Sequence, residues 1–163
     1  MSAKGSFRPD TVVTAYVALG SNLGDSKAIV LAAIKELGER PGLCLAAQSP
    51  LFTSKPHEAT GGDYVNAVVA LECSLNPVEL LDLTQEIEQS HGRERSFVNA
   101  PRTLDLDLIL FGDAQIQSPR LVLPHPRWAE RAFVLKPLST IAPHLVSEEM
   151  LRAVSDQPIA LLV

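Results

Sequence analysis

Thr103-Leu104-Asp105-Leu106-Asp107-Leu108-Ile109-Leu110-Phe111, closed by Gly112-Asp113, alternates leucine with aspartate and then turns wholly apolar. Period-two alternation predicts a strand with Leu104, Leu106, Leu108 and Leu110 on one face and Asp105 and Asp107 on the other. The leucine row is a packing face, so helices should lie against that side of a sheet. Upstream, Asn76-Pro77-Val78-Glu79 predicts a helix start: Asn76 as N-cap, Pro77 in the first helical position, Glu79 completing a capping box. The helix should bury Leu80, Leu83 or Thr84, and Ile87, leave Gln85 and Glu88 off that stripe, and stop near His91-Gly92.

The run from Tyr64 to Cys73 reads as a strand, and so does the stretch from Leu43 to Phe52. Val12 to Leu19 is a β-branched apolar run, read as a buried central strand, followed by the turn-rich Gly20-Ser21-Asn22-Leu23-Gly24-Asp25. Asp25 or Ser26 can cap a helix reaching about Glu39, with Ile29, Ala33 and Leu37 on one face, before Arg40-Pro41-Gly42 ends it. The order β, α, β, β, α, β predicts an α+β, ferredoxin-like βαββαβ core: an antiparallel sheet with its helices on one face. C-terminal additions follow, with a short helix from Trp128 to Phe133, a proline-terminated turn near Ala142-Pro143, and an apolar end, Pro158 to Val163, that either packs back on the domain or belongs to a longer chain.

The bulk properties bound the function. The chain has 163 residues, 46% hydrophobic and 20% charged, which fits one domain over residues 11–163 behind a polar, flexible arm, Met1 to Asp10. A net charge of −5 argues against nucleic-acid and anionic-membrane partners, and nothing requires more than a monomer. No run approaches the ~18 apolar residues of a membrane span. Cys44 and Cys73 lack a CxxC partner and read as buried free thiols, suited to a reducing cytoplasm.

Two carboxylates side by side repel unless a cation intervenes. Magnesium, bound by one or two carboxylates together with nucleotide phosphates, resolves that conflict at Asp105 and Asp107. The bland alternative is a solvent-facing polar strand face. Arg93, Arg95 and Arg102 shift the balance, because planar guanidinium groups suit phosphate and Arg102 directly precedes the strand. Gly20 to Gly24 could present backbone N–H groups to an anion but reads better as a required turn. His125, between Pro124 and Pro126, either donates to a phosphate or finishes a turn. The polar stretches Thr53 to Asp63 and Arg93 to Arg102 read as loops that substrates would order.

In this order the motifs resemble the 6-hydroxymethyl-7,8-dihydropterin pyrophosphokinase family. The segments that carry the resemblance are Ala18-Leu19-Gly20-Ser21-Asn22-Leu23-Gly24, Asp63-Tyr64-Val65-Asn66-Ala67, Gly92-Arg93-Glu94-Arg95, Pro101 to Asp107, Leu123-Pro124-His125-Pro126 and Arg131-Ala132-Phe133-Val134-Leu135, within Thr14 to Val146. The resemblance implies transfer of pyrophosphate from ATP to the pterin hydroxymethyl group in folate biosynthesis, with AMP leaving. It implies two magnesium ions on Asp105 and Asp107, and phosphate contacts and charge stabilisation from Arg93 and Arg102. Gln85, Glu88, Arg95, Arg102, Leu108, Arg120, His125 and Arg131 are implied as ATP contacts. Tyr64 and Phe133 would flank the pterin, Asn66 would bond its edge, and Ser54 and Pro56 would help through backbone groups. Asp107 is the candidate if a general base is used. The chain reads Phe97-Val98-Asn99-Ala100 where some members carry an Arg-Trp pair, which implies a different closure over ATP.

Two rivals remain at this level. A ferredoxin-like nucleotide sensor would have no use for the paired aspartates, and another magnesium-dependent phosphoryl transferase would leave Tyr64, Asn66 and Phe133 arbitrary.

Overall fold

A computed structural model describes residues 12–55, 62–92 and 103–162. Strand β1 (Val13–Ser21) leads into helix α1 (Ser26–Glu39), and Asp25 caps the helix by accepting the Ala28 N–H at 3.2 Å. The buried stripe of α1 is Val30, Ala33, Ile34 and Leu37, with Ile29 only partly covered. The stretch predicted as one strand from Leu43 to Phe52 is two, β2 (Leu43–Gln48) and β3 (Phe52–Ser54). The break falls at Ser49-Pro50, where Pro50 has no N–H to give. Ser49 stands in for the ladder there: its N–H donates to Val68 O at 2.9 Å and its Oγ accepts the Val68 N–H at 3.0 Å. Thr53 and Ser54 therefore belong to a strand and not to the loop expected from Thr53 to Asp63.

Strand β4 (Tyr64–Cys73) and helix α2 (Pro77–Ser90) match their sequence boundaries. The capping box is complete, with Glu79 N–H to Asn76 Oδ1 at 2.8 Å and Asn76 N–H to Glu79 Oε1 at 2.9 Å. Past His91 the chain turns at Gly92, φ 86°, a backbone conformation that favours glycine. Strand β5 (Asp105–Phe111) is followed by the small pair β6 (Ile116–Gln117) and β7 (Val122–Leu123). A 3-10 turn at Trp128–Glu130 precedes α3 (Ala132–Ile141), and α4 (Glu148–Ala153) and β8 (Ile159–Leu161) complete the chain.

The molecule is a mixed fold of helices and antiparallel sheet. The main sheet runs β5-β1-β4-β3-β8, with β2 also paired to β4. Helices α1 and α2 cover one face, over Leu19, Leu104, Leu106 and Leu108. Helix α3 covers the other, placing Val134, Leu135 and Leu138 over Ala18, Val68 and Ile109. The two helices expected on one face share it, and α3, which follows β5 in the C-terminal part of the chain, lies on the other. β4 is buried without alternation from Val65 to Leu71, as a strand covered on both faces must be.

Three further differences follow from particular residues. The expected short helix from Trp128 to Phe133 is a 3-10 turn, and the α-helix begins at Ala132 and runs through a buried Pro137. Proline predicts a break, but here its ring adds apolar surface to the core, at the loss of one helical hydrogen bond. In β5 the leucine alternation fails at Leu110. Val17 pairs with Leu108 but Tyr16 with Leu110, so Ile109 is an extra residue. Leu110 therefore joins the α3 side, and Phe111 joins Leu106 and Leu108. Cys73 is buried and its thiol is pushed up to about 11 by burial, but Cys44 is exposed; both are free.

The apolar tail does pack back. Ile159 pairs with Ser54 and Leu161 with Phe52, and Leu162 N–H donates to Leu51 O at 2.9 Å. No helix of the described residues is long and apolar enough to cross a membrane.

Candidate active site

The register brings the candidate residues into rows. Gly20 pairs with Asp105 on one side and Asn66 on the other, Asn66 pairs with Phe52, and Tyr64 with Ser54. Cross-strand partners share a face. Ala18, which pairs with Asp107 and Val68, fixes that face as the α3 side. Asp105, Asp107, Asn66, Tyr64 and Ser54 thus lie on one surface, drawn from strands far apart in sequence.

Asn66 is 3% exposed, and its Nδ2 donates to Ser54 Oγ at 2.7 Å. Its Oδ1 faces the bare backbone of Gly20, where a Cβ would stand 3.5 Å from it and 3.7 Å from Tyr64 Cδ1. Gly20 leaves open the ground between Asn66 and Asp105. The sequence reading placed Gly20 in a turn and missed this role. The available signal was a glycine continuing an apolar strand, which often marks a close backbone approach.

Asp105 and Asp107 are half-buried, and the residue between them is held from α2. Leu106 N–H donates to Glu88 Oε2 at 2.8 Å, and Glu88 is only 4% exposed. Glu88 was expected off the buried stripe of α2; it lies on it, next to Ile87 and one turn beyond Thr84. A buried carboxylate needs a donor, and the outer edge of β5 supplies one. Leu108 is buried on the face opposite the aspartates, so any nucleotide contact from it is a backbone one.

Gln85 and Arg120 meet: Arg120 Nη2 lies 3.4 Å from Gln85 Oε1 and 2.6 Å from Asp82 Oδ1. Asp82 was not foreseen, because its partner is 38 residues away. His125 is tied to β5 by its N–H to Ile109 O at 2.9 Å, just after a cis Leu123–Pro124 bond. Its Nδ1 accepts the Arg127 N–H at 3.1 Å, which leaves Nε2 to carry the proton of the neutral ring. Burial pushes the His125 pKa down; Asp107 opposes that, while Arg131 and Arg127 reinforce it. His125, Asp107 and Arg131 therefore share one electrostatic neighbourhood. The Arg131 guanidinium stands 5.4 Å from the centroid of the Phe133 ring, in the first turn of α3.

Arg93, Arg95, Arg102 and Pro56 lie outside the described residues, as do the stretch Phe97 to Ala100 and the polar arm Met1 to Asp10. Among the described residues no group of three or more His, Cys, Asp or Glu gathers around a metal position. The pair Asp105 and Asp107 offers hard oxygen donors on one half-buried face beside a glycine and an alanine, which suits magnesium that completes its shell with phosphate and water. The arrangement can take a divalent cation at the aspartates, and through it a polyanion, with a flat polar ring near Asn66.

Residues 16–143 match the family model of 7,8-dihydro-6-hydroxymethylpterin-pyrophosphokinase. The chain is 46% identical over 131 residues to a 2-amino-4-hydroxy-6-hydroxymethyldihydropteridine pyrophosphokinase of Pseudomonas aeruginosa, covering 80% of this chain and 81% of the relative. It is 40% identical over 144 residues to the enzyme of the same name from Bacillus subtilis, covering 88% and 86%. Among solved structures, an HPPK-DHPS in complex with substrates superposes with a TM-score of 0.66 at 12% identity, covering 90% of this chain and 43% of that one. The wild-type HPPK-DHPS of Plasmodium falciparum gives 0.65 at 13%, covering 89% and 41%. This chain spans less than half of those two structures, and at such identity they speak to fold alone.

Proposed function

The chain belongs to the 7,8-dihydro-6-hydroxymethylpterin-pyrophosphokinase family, and on that premise we propose how its own residues carry the reaction. It is an ATP-dependent diphosphotransferase of folate biosynthesis: pyrophosphate passes from ATP to the hydroxymethyl group of 6-hydroxymethyl-7,8-dihydropterin, giving AMP and the pterin diphosphate.

The observation that carries the assignment of roles is the row Asp105, Gly20, Asn66, with a carboxylate at one end, an amide at the other and no side chain between. The pterin edge bonds Asn66, which Ser54 holds in place, and Tyr64 and Phe133 flank the ring. Over Gly20 the hydroxymethyl oxygen attacks the β-phosphorus in line, and AMP departs toward β5 and the arginines. Asp105 and Asp107 would hold the two magnesium ions, which would supply neutralisation of the triphosphate charge. His125 donates from Nε2 to a phosphate oxygen, and its neutral state leaves that one proton in a fixed place. Arg131 adds a cation beside it. Gln85 and Arg120, already together, take the nucleoside end with Glu88 and the Leu108 backbone.

Arg93, Arg95 and Arg102 complete the phosphate contacts in this reading, with Arg93 and Arg102 stabilising charge during transfer and Pro56 backing the pterin. A loose transition state needs no strong base; Asp107 is our candidate if one acts. The order β5-β1-β4-β2 with α1 and α2 on one face supports a ferredoxin-like core extended at the C-terminus. Free Cys44 and Cys73 support a reducing cytoplasm, and we read the enzyme as a monomer. Incubation with ATP, magnesium and the hydroxymethyl-dihydropterin tests the reading. AMP formed only when the pterin is present supports it, whereas ADP, or no nucleotide product, contradicts it.

A further inference from the structure

Gln157 lies beyond residue 143, where the family match ends, and its side chain reaches back 25 residues to the site. Its Oε1 accepts the N–H of Ala132 at 2.8 Å, and its Nε2 donates to the carbonyl of Glu130 at 2.9 Å. These are the two peptide groups that flank Arg131. Ala132 opens α3, so its N–H is one of the donors a helix start cannot satisfy internally, and the N-cap residue Arg131 contributes no side-chain cap. A glutamine amide has one acceptor and one donor end, and here both are used on one target.

The clamp is itself anchored. Gln157 N–H donates to Val154 O at 3.0 Å, and Val154 is buried in the core on the α3 side. Two residues on, Ile159 pairs with Ser54 at the other end of the candidate site. The segment from Gln157 to Leu161 thus links the backbone around Arg131 to the strand that carries Ser54.

We infer that Gln157 is a positioning residue for Arg131: by fixing the peptides on both sides of it, the amide sets where the guanidinium stands over Phe133 and beside the phosphate site. The inference rests on the reading of Arg131 as an ATP contact. Gln157→Met keeps the length of the side chain and removes both hydrogen bonds. It should raise KM for ATP by roughly ten-fold, the scale of a lost charge-positioning contact, with kcat changed far less.

In an Arg131→Ala background the same substitution should leave KM for ATP unmoved, because the residue it positions is gone. An equal effect of Gln157→Met with and without Arg131 would mean a general structural role and overturn the inference, as would an unchanged KM in the single variant. If Arg131→Ala itself leaves KM for ATP unchanged, the ATP role of Arg131 fails and this inference with it; if Arg131→Ala raises KM while Gln157→Met is silent, only this inference fails. Should Gln157→Met not fold, hydrogen exchange in the wild-type protein decides. The Ala132 amide is expected to be protected although it opens a helix, and exchange at the rate of a free peptide would contradict the clamp.

Discussion

The carboxylate of Glu88 accepts the N–H of Leu106 at 2.8 Å, and Leu106 is the residue between Asp105 and Asp107. Among the described residues β5 ends the sheet, with β1 on one side and no further strand of the main sheet on the other. An edge strand there would present unpaired N–H groups. A side chain from α2 takes the place of a neighbouring strand at the point where the two aspartates must be held in step. The aspartate end of the candidate site is therefore built on a helix-to-edge contact as well as on the strand.

Removing that acceptor leaves a buried N–H without its partner. Glu88→Ala is expected to cost about 2–3 kcal/mol in urea unfolding, whereas Glu88→Gln, which keeps an oxygen for Leu106, should cost less. The concentration of magnesium needed for half-maximal turnover should rise in the same order. Equal stability losses for the two variants would show that the hydrogen bond to Leu106 is not what Glu88 contributes.

At Gly20 the fold is expected to tolerate a Cβ, whereas the proposed substrate path is not. A Cβ would meet Asn66 Oδ1 at 3.5 Å and Tyr64 Cδ1 at 3.7 Å, both ordinary contacts. Gly20→Ala should leave the melting temperature within a few degrees, since its Cβ fits at ordinary contact distances, while raising KM for the pterin by about ten-fold or more. A variant with normal pterin kinetics would remove Gly20 from the site.

His125 gives a pH dependence with a definite sign. Its pKa is pushed below the usual histidine value by burial, so in the acid range the unfolded chain binds a proton more readily than the folded one. The stability this histidine contributes is present above the unfolded pKa of about 6.5 and is lost as pH falls through the lower folded pKa. Urea unfolding of the metal-free protein between pH 7 and pH 5 should show that decline, and His125→Asn should flatten part of it. An unchanged slope in the variant would mean that His125 titrates normally in the fold.

The sequence legible from local pattern was that of whole elements with their own caps. The Asn76–Glu79 box and the run from Tyr64 to Cys73 specify α2 and β4 from within, so reading them needs no neighbour. What local pattern could not show depends on partners far along the chain. Pro50 splits a strand because Ser49 finds Val68, Ile109 is a bulge only against Tyr16 and Val17, and Pro137 is tolerated in a helix that buries its ring. The site divides in the same way. Asp105, Asp107 and Asn66 stood out as polar residues in apolar runs, but that Gly20 separates them, that Asp82 holds Arg120, and that Gln157 braces Arg131 are facts of register and tertiary contact.

The central claim is that the paired aspartates serve chemistry and not folding. The direct measurement is AMP production from ATP, magnesium and the hydroxymethyl-dihydropterin by Asp107→Ala, alongside its thermal unfolding. Relief of like-charge repulsion should leave the metal-free protein at least as stable as the parent, while turnover falls by about 100-fold or more. A variant that turns over within a few-fold of the parent, or one that loses activity only because it unfolds, would contradict the account.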